Sequence, residues 1–223
     1  MSASAALPVV VLGGGGHARV LMDALCLCGV TIQGYSDPRQ APGARGPFGA
    51  ASLGGDEAVE ALGPERVRLV NGIGSTRDTA LRRDAFARFA ALGFRFATIV
   101  HPAAIVAPDV ELGEGAQVMA GAVLQTGSRI GADAIVNTRA SIDHDCRIGA
   151  HAHIAPGAVL SGGVVVGEGS HVGTAATIIQ SITIGERCTI GAGAVVTEDL
   201  GDCAIAVSPG LRARGPEVEG KTQ

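Results

Sequence analysis

Residues 128–160 read SRIGADAIVNTRASIDHDCRIGAHAHIAPGAVL. Every sixth residue is a large aliphatic: Ile130, Val136, Ile142, Ile148, Ile154 and Leu160. Four residues after each aliphatic the side chain is small, as at Ala134, Ala140, Cys146, Ala152 and Ala158. The register extends in both directions without a gap, through Val100, Val106, Leu112, Val118 and Leu124 upstream and Val166, Val172, Ile178, Ile184, Ile190 and Val196 downstream. A period of six is neither the helical 3.6 nor the strand alternation of two. It fits a parallel β-helix in which each hexapeptide makes one short strand and one tight turn. Three hexapeptides close a coil of about 18 residues, so the repeat supplies about five coils stacked about 4.8 Å apart. The aliphatic side chain points inward and the small one packs beside it. Gly often follows the aliphatic (Gly113, Gly131, Gly149, Gly167, Gly185, Gly191), where it is expected to permit the turn.

Composition agrees with a repetitive aliphatic core. The chain has 34 Gly, no Trp, one Tyr and only 3% aromatic residues. The net charge of −4 is spread without a basic stripe, which argues against nucleic acid as a partner. No apolar run is long enough for a membrane span, and MSASAALPVVVLGGGG has no basic n-region. The five cysteines (Cys26, Cys28, Cys146, Cys188, Cys203) form no C-x-x-C pair and suit a reducing compartment, so a cytoplasmic location is expected.

Ahead of the repeat the pattern is different, and the chain divides into residues 1–97 and 98–215, the latter including a C-terminal tail. LPVVVLG is a buried-strand pattern running into glycines; HARVLMDALCLCG is helical, with Gly29 as the stop; TIQGYSD is a second strand closed by Asp37-Pro38. PRQAPGARGPFGA reads as a loop, EAVEALG as a short helix, VRLVNGIGS as a strand and TRDTALRRDAFARFAALG as a helix ended by Gly93. FRFATIV reads as a further strand. Alternating β and α predicts a small parallel sheet.

The turn Gly13, Gly14, Gly15, Gly16, His17 formally satisfies G-x-G-x-x-A through Gly13, Gly15 and Ala18, with Asp37 placed 24 residues after Gly13. Bare backbone at a helix N-terminus receives an anion. A full dinucleotide fold needs two mononucleotide halves, and only one fits before the repeat, so a nucleotide sugar suits the loop better than NAD. His17 would stand at its mouth, Asp37 would accept from a base or ribose, and Gly74 ends a strand on the same edge.

GGGGHA, one α/β unit, HPAAIVAP and then hexapeptides containing NTRASIDHDCRIG together resemble the bacterial sugar O- and N-acyltransferases of the hexapeptide-repeat family, from about Pro8 to Arg212. That group includes sialic acid O-acetyltransferases and nucleotide 4-amino-sugar N-acetyltransferases. The resemblance implies a single Rossmann-like half followed by a left-handed parallel β-helix, and a homotrimer with active sites between prisms. The left hand comes from the family; spacing alone does not show it, and it departs from the usual right-handed crossover. The resemblance further implies acetyl transfer from acetyl-CoA to the amino group of a UDP- or GDP-linked 4-amino-deoxy sugar, in surface polysaccharide synthesis. The alternative is O-acetylation of sialic acid or a related sugar, free or CMP-linked. His144 becomes the general base, Asp145 its acidic neighbour, and Asp143, Asn137 and His153 line the same site. Val207-Ser208-Pro209-Gly210 departs from the family's G-V-P-A ending, and Asp143 and Asp145 are shorter than the usual Glu.

Acyl transfer to an amine needs a base for the departing proton, and neutral His serves near pH 7. Either Asp143 or Asp145 would hold its tautomer. Gly162 lies 18 residues after His144, at the same corner one coil on, with an unshielded N–H to stabilise an oxyanion. Gly162, Gly173, Ala175, Gly191 and Ala192 line the expected path of a pantetheine arm. Cys146 and Cys188 fall on the inward small position and are expected to pack, not react. His151 is expected to be exposed, His171 to sit at an interface or surface, and His101 to cap the first coil. A zinc hydratase built on the same prism would use three histidines, but the H-x4-H spacing is absent, and no metal is expected. A non-catalytic nucleotide-sugar binder and an NAD-dependent enzyme are further alternatives, distinguished by acetyl-CoA and NADH binding respectively.

Overall fold

The computed structural model describes residues 7–75 and 79–208. In the N-terminal unit β1 (Val9–Leu12), β2 (Ile32–Ser36), β3 (Ser52–Gly54) and β4 (Arg68–Asn71) form a sheet in the order β3-β2-β1-β4. All of its pairings are parallel. The helices are α1 (Gly16–Leu27), α2 (Asp56–Leu62) and α3 (Ala80–Ala91). β1 is buried along its whole length because it runs through the middle of a sheet covered on both faces. One side packs Val9, Val11, Leu21, Met22 and Leu25; the other packs Val10, Leu12, Val59, Leu69 and Phe89. β3 lies just beyond the Pro/Gly-rich stretch read as loop, too short to show a period.

The repeat folds as expected. From Ile99–Val100 to Ile205–Ala206, two-residue strands stack in three parallel sheets of seven, six and five strands. Paired residues are 18 apart, as in Ile135 with His153 and Ser141 with Val159. All the aliphatics of the six-residue register enter one interior, with Val100, Val106 and Leu112 partly exposed at the open end. Buried Ser128 and Ser170 keep their hydroxyls satisfied within the stack. Ser128 donates to the Asp143 carbonyl at 2.9 Å, and Ser170 donates to that of Gly185 at 2.7 Å. Cys146 and Cys188 are buried on the expected inward positions, and all five cysteines are unpaired. The final coil is two residues shorter: Thr189 pairs with Ile205, 16 positions on.

Two expectations are corrected. The glycine directly after each aliphatic is not the turn residue. The left-handed φ falls three positions after the aliphatic, on Gly115, Gly127, Gly157 and Gly163 but also on Asp133, Arg139, Asp145 and His151. Glycine after the aliphatic serves close stacking: a Cβ on Gly149 would lie 2.6 Å from the Glu168 nitrogen of the next coil. FRFATIV is not one strand. Phe96 makes a single bridge to Leu69, and Ile99–Val100 already belongs to the first coil.

The α/β unit is fastened to the prism. Ile99 and Met119 of the first coils join the core of α1. Arg82 of α3 and Asp133 of a prism corner, both with fully buried side chains, pair at 2.6 Å. Arg82 also donates to the carbonyls of Asn71 and Ile73, each at 3.0 Å. Asp133 further accepts from Asn71 Nδ2 at 3.1 Å and bonds His151 Nδ1 at 3.0 Å. His151 is therefore not the exposed residue expected. Its side chain is 12% exposed, with its ring edge against Phe86.

Candidate active site

The glycine turn leaves β1 with Gly13 at φ +91, its N–H donating to Ser36 Oγ at 3.3 Å. Gly14 is required by contact: a Cβ there would meet Asp37 Oδ2 at 2.6 Å. Gly15 and Gly16 face open space, and α1 begins there with no side-chain cap. Its first N–H groups are thus free for an anion. Arg19 and Arg39 flank the depression formed with Gly14, Gly15 and Asp37. Asp37 is buried, and Arg39 takes both carboxylate oxygens at 3.0 Å. The Arg39 hydrogen bonds hold the Asp37 carboxyl below the ordinary carboxylate range. Its acceptor capacity is largely spent on Arg39, which the sequence reading did not anticipate.

A cleft of about 1070 Å³ runs from the α/β unit onto the prism. At one end are His17, Gly74 and Ser75; Asn137, His153 and His171 line its middle; Gly173, Gly191 and Ala192 line its far end. His153 is clamped across it. The Asn137 Oδ1 accepts from the Thr138 N–H at 2.7 Å, so its amide NH2 faces His153 Nε2 at 3.0 Å. His153 Nε2 is therefore the acceptor, and the proton sits on Nδ1, donated to Ser75 Oγ at 2.7 Å. Burial, with positive charge nearby, pushes the His153 pKa down to about 3. It is neutral at working pH and neither nitrogen is free. His171 stacks edge-on against it at 4.9 Å, buried rather than on the surface, and its Nδ1 has no hydrogen-bond partner among the described residues. Gly173 is bare for stacking, since a Cβ would lie 2.5 Å from the Ile190 carbonyl. Ala175 stands one residue outside the lining, at φ +55, with its N–H given to the Pro156 carbonyl at 3.0 Å.

His144 lies elsewhere on the prism. It occupies the corner between Ser141–Ile142 and Arg147–Ile148, whereas Asn137 occupies the preceding corner. Within one chain Asn137 does not stand beside His144: it holds His153. The side chain of His144 is 57% exposed, and its Nδ1 lies 2.8 Å from Asp145 Oδ2. Asp143 instead accepts the backbone N–H of His144 at 2.8 Å. Of the two acids left open by the sequence, Asp145 orients the ring, turned toward it by a φ of +58. That hydrogen bond raises the His144 pKa above the ordinary 6.5. Nε2 is left bare, and it lies over Gly162, where a Cβ would come within 2.5 Å of it. The Gly162 N–H meets no acceptor among the described residues. His144, His151 and His153 occupy two corners and a strand of the prism, and do not converge within one chain. His101 Nδ1 accepts the Ala103 N–H at 3.0 Å, a local cap. Pro209 to Arg212 lie outside the described residues.

Residues 8–89 match the PglD N-terminal domain, and 127–162 and 163–198 match the bacterial transferase hexapeptide model. PerB from Caulobacter crescentus, solved with CoA and GDP-perosamine, is 40% identical over 90% of this chain and 94% of its own, with TM-score 0.83. The acetyltransferase domain of PglB from Neisseria gonorrhoeae is 35% identical over 90% of this chain and 96% of its own, with TM-score 0.84. The chain belongs to the sugar acyltransferases of the hexapeptide-repeat, left-handed β-helix family. WeeI from Acinetobacter baumannii, at 20% identity and TM-score 0.81, shares the fold. A search of the curated proteins gives no match.

In this acyltransferase the residues that support the cleft emerged from the three-dimensional contacts. Gln117 and Ser75 hold His17 and His153, and Arg82, Asp133 and Asn71 hold the loop that carries Ser75. Stepping back twice by 18 from His153, through Ile135, would have found Gln117, which shares its column on the prism face. Gly162→Ala checks the His144 corner. The new methyl would displace the imidazole at its exposed end, so the fold is expected to survive; with His144 as the expected base, turnover should fall about 10²-fold, the usual cost of misplacing a reacting group by about 1 Å. Steady-state kinetics beside a melting curve reads both.

Proposed function

We propose that this acyltransferase moves an acetyl group from acetyl-CoA to the amino group of a UDP- or GDP-linked 4-amino-deoxy sugar, for bacterial surface glycans. The observation that carries the reading is the cleft that runs without interruption from His17 and Gly74, beside the glycine loop, to the bare backbone at Gly173 and Gly191. It suits a substrate anchored by its diphosphate at Gly14–Gly16, with the sugar reaching toward an acyl donor laid along the coils. Relatives solved with CoA and GDP-perosamine, and with acetyl-CoA, support both ligand classes.

The amine nitrogen attacks the thioester carbonyl carbon, and His144 Nε2 takes the amine proton. The Gly162 N–H faces the developing oxyanion. The C–S bond breaks, the amide forms, and the thiolate leaves to collect the proton from His144. Within one chain His144 and the cleft lie on different corners. A homotrimer would join His144 of one copy to the cleft of the next. The outward apolar row Ile105, Val159 and Val195, each at least 42% exposed, suits that contact. No helix among the described residues is long and apolar enough to cross a membrane.

The test is release of CoA thiol with a panel of UDP- and GDP-linked 4-amino sugars and their 4-hydroxy counterparts. Turnover with an amine and none with its hydroxyl twin is the expected result. Turnover confined to hydroxyl acceptors, sialic acid included, would replace N- with O-acetylation.

A further inference from the structure

His17 and His153 both face the cleft, yet their hydrogen bonding differs. His153 has both nitrogens engaged, whereas among the described residues His17 bonds through Nε2 alone, 2.8 Å from Gln117 Oε1. Which way the proton points on His17 is decided on the other side of Gln117. The Gln117 side chain is fully buried, and its Nε2 donates to the Asn71 carbonyl at 2.8 Å. Turning the amide over would set Oε1 against that carbonyl, two acceptors face to face in a buried site. Oε1 is therefore held toward His17, where it only accepts.

The Asn71 carbonyl is itself fixed. It also accepts from Arg82 Nη1 at 3.0 Å, and Arg82 is pinned by Asp133 at 2.6 Å. A buried ion pair, a backbone carbonyl and an amide thus run in sequence from a prism corner to the His17 ring. Every link is a donor–acceptor pair with one permitted direction.

The geometry points to Gln117 as the positioning residue that sets the His17 tautomer, placing the proton on Nε2 and leaving Nδ1 as an acceptor for a hydroxyl or amine hydrogen of the sugar. The assignment rests on the nucleotide-sugar reading for the identity of that donor, and on the hydrogen bonds alone for the tautomer. Burial, with Arg82 close by, also keeps His17 neutral, its pKa pushed down to about 4. A neutral ring has one bare nitrogen, and Gln117 decides which. It matters for acceptor choice because a bare nitrogen selects a ligand donor and repels a ligand oxygen that carries no hydrogen.

Nitrogen-15 spectra of the histidine side chains in the full-length protein test it, with His17→Gln identifying the His17 signals. At pH 7 the unsubstituted protein should show His17 protonated on Nε2 with Nδ1 bare. Gln117→Met should give a tautomer mixture and raise KM for the nucleotide sugar about fivefold to tenfold, the loss expected for one misdirected neutral hydrogen bond. KM for acetyl-CoA should stay within about twofold, a split that general loosening of the fold would not produce. A proton on Nδ1 in the unsubstituted protein overturns the assignment, as does a Gln117→Met variant with tautomer and sugar KM both unchanged. If Gln117→Met does not fold, the spectrum of the unsubstituted protein decides alone. A tautomer set by Gln117 in a protein that acetylates no nucleotide sugar would refute the functional reading and leave the Gln117–His17 assignment standing.

Discussion

His144→Ala lowers kcat about 10²- to 10⁴-fold, the range spanned by general bases, and leaves the melting temperature nearly unchanged. The second half of that expectation follows from exposure. The ring is 57% exposed and bonded only to Asp145, so its removal opens no cavity. As the proposed base His144 acts in its neutral form, so activity is expected to fall as pH drops through its pKa. That limb lies above the ordinary 6.5, because the hydrogen bond to Asp145 favours the protonated ring. Asp145→Asn removes the negative charge and moves the limb to lower pH. Asp143→Asn also removes a negative charge that raises the His144 pKa, but it spares the ring's own hydrogen bond, the largest cause, and moves the limb less. A pH–rate profile of kcat/KM for the three proteins checks the order. Full activity in His144→Ala would remove the base from the proposal.

Arg82→Met unfolds far more easily than the unsubstituted chain, by about 3–5 kcal/mol, because it strands a buried carboxylate. The pair lies at 2.6 Å with both side chains fully buried. Arg82 also closes the carbonyls of Asn71 and Ile73, so its loss frees the loop carrying Ser75. Urea unfolding measures the change, and the melting temperature falls by on the order of 10 °C for a domain of this size. Arg82→Met combined with Asp133→Asn removes the stranded charge and recovers much of the loss. Asn also tolerates the left-handed φ of +54 at that corner. If the double variant were no more stable than Arg82→Met, the stranded charge would not be the cause.

The coil register of the prism was legible in the chain because its signal is local and repeated. Each hexapeptide carries its own inward aliphatic, and the stack buries them in one line from Val118 to Val196. The glycine loop was legible as a run of glycines between a strand and a helix: Gly13 needs its φ of +91 locally, whereas Gly14 is kept bare by Asp37, a contact between separate segments. The short strand Ser52–Gly54 escaped notice because three residues do not display a period. His151 and Arg82 were misjudged or passed over because polarity reads as exposure. Only their mutual partner Asp133, distant in sequence from Arg82, makes burial possible.

The sequence by itself determined the coil, its 18-residue register, the anion-ready turn, and the placement of His144 and Gly162 on one corner. These depend on spacing, and spacing is written along the chain. Tertiary structure alone decided that Asp145 rather than Asp143 orients His144, that Asn137 serves His153, and that Arg39 occupies Asp37. It also decided that Gln117 directs His17. Those outcomes depend on which way a few hydrogen-bonding atoms point once separate segments meet. No residue count specifies a direction.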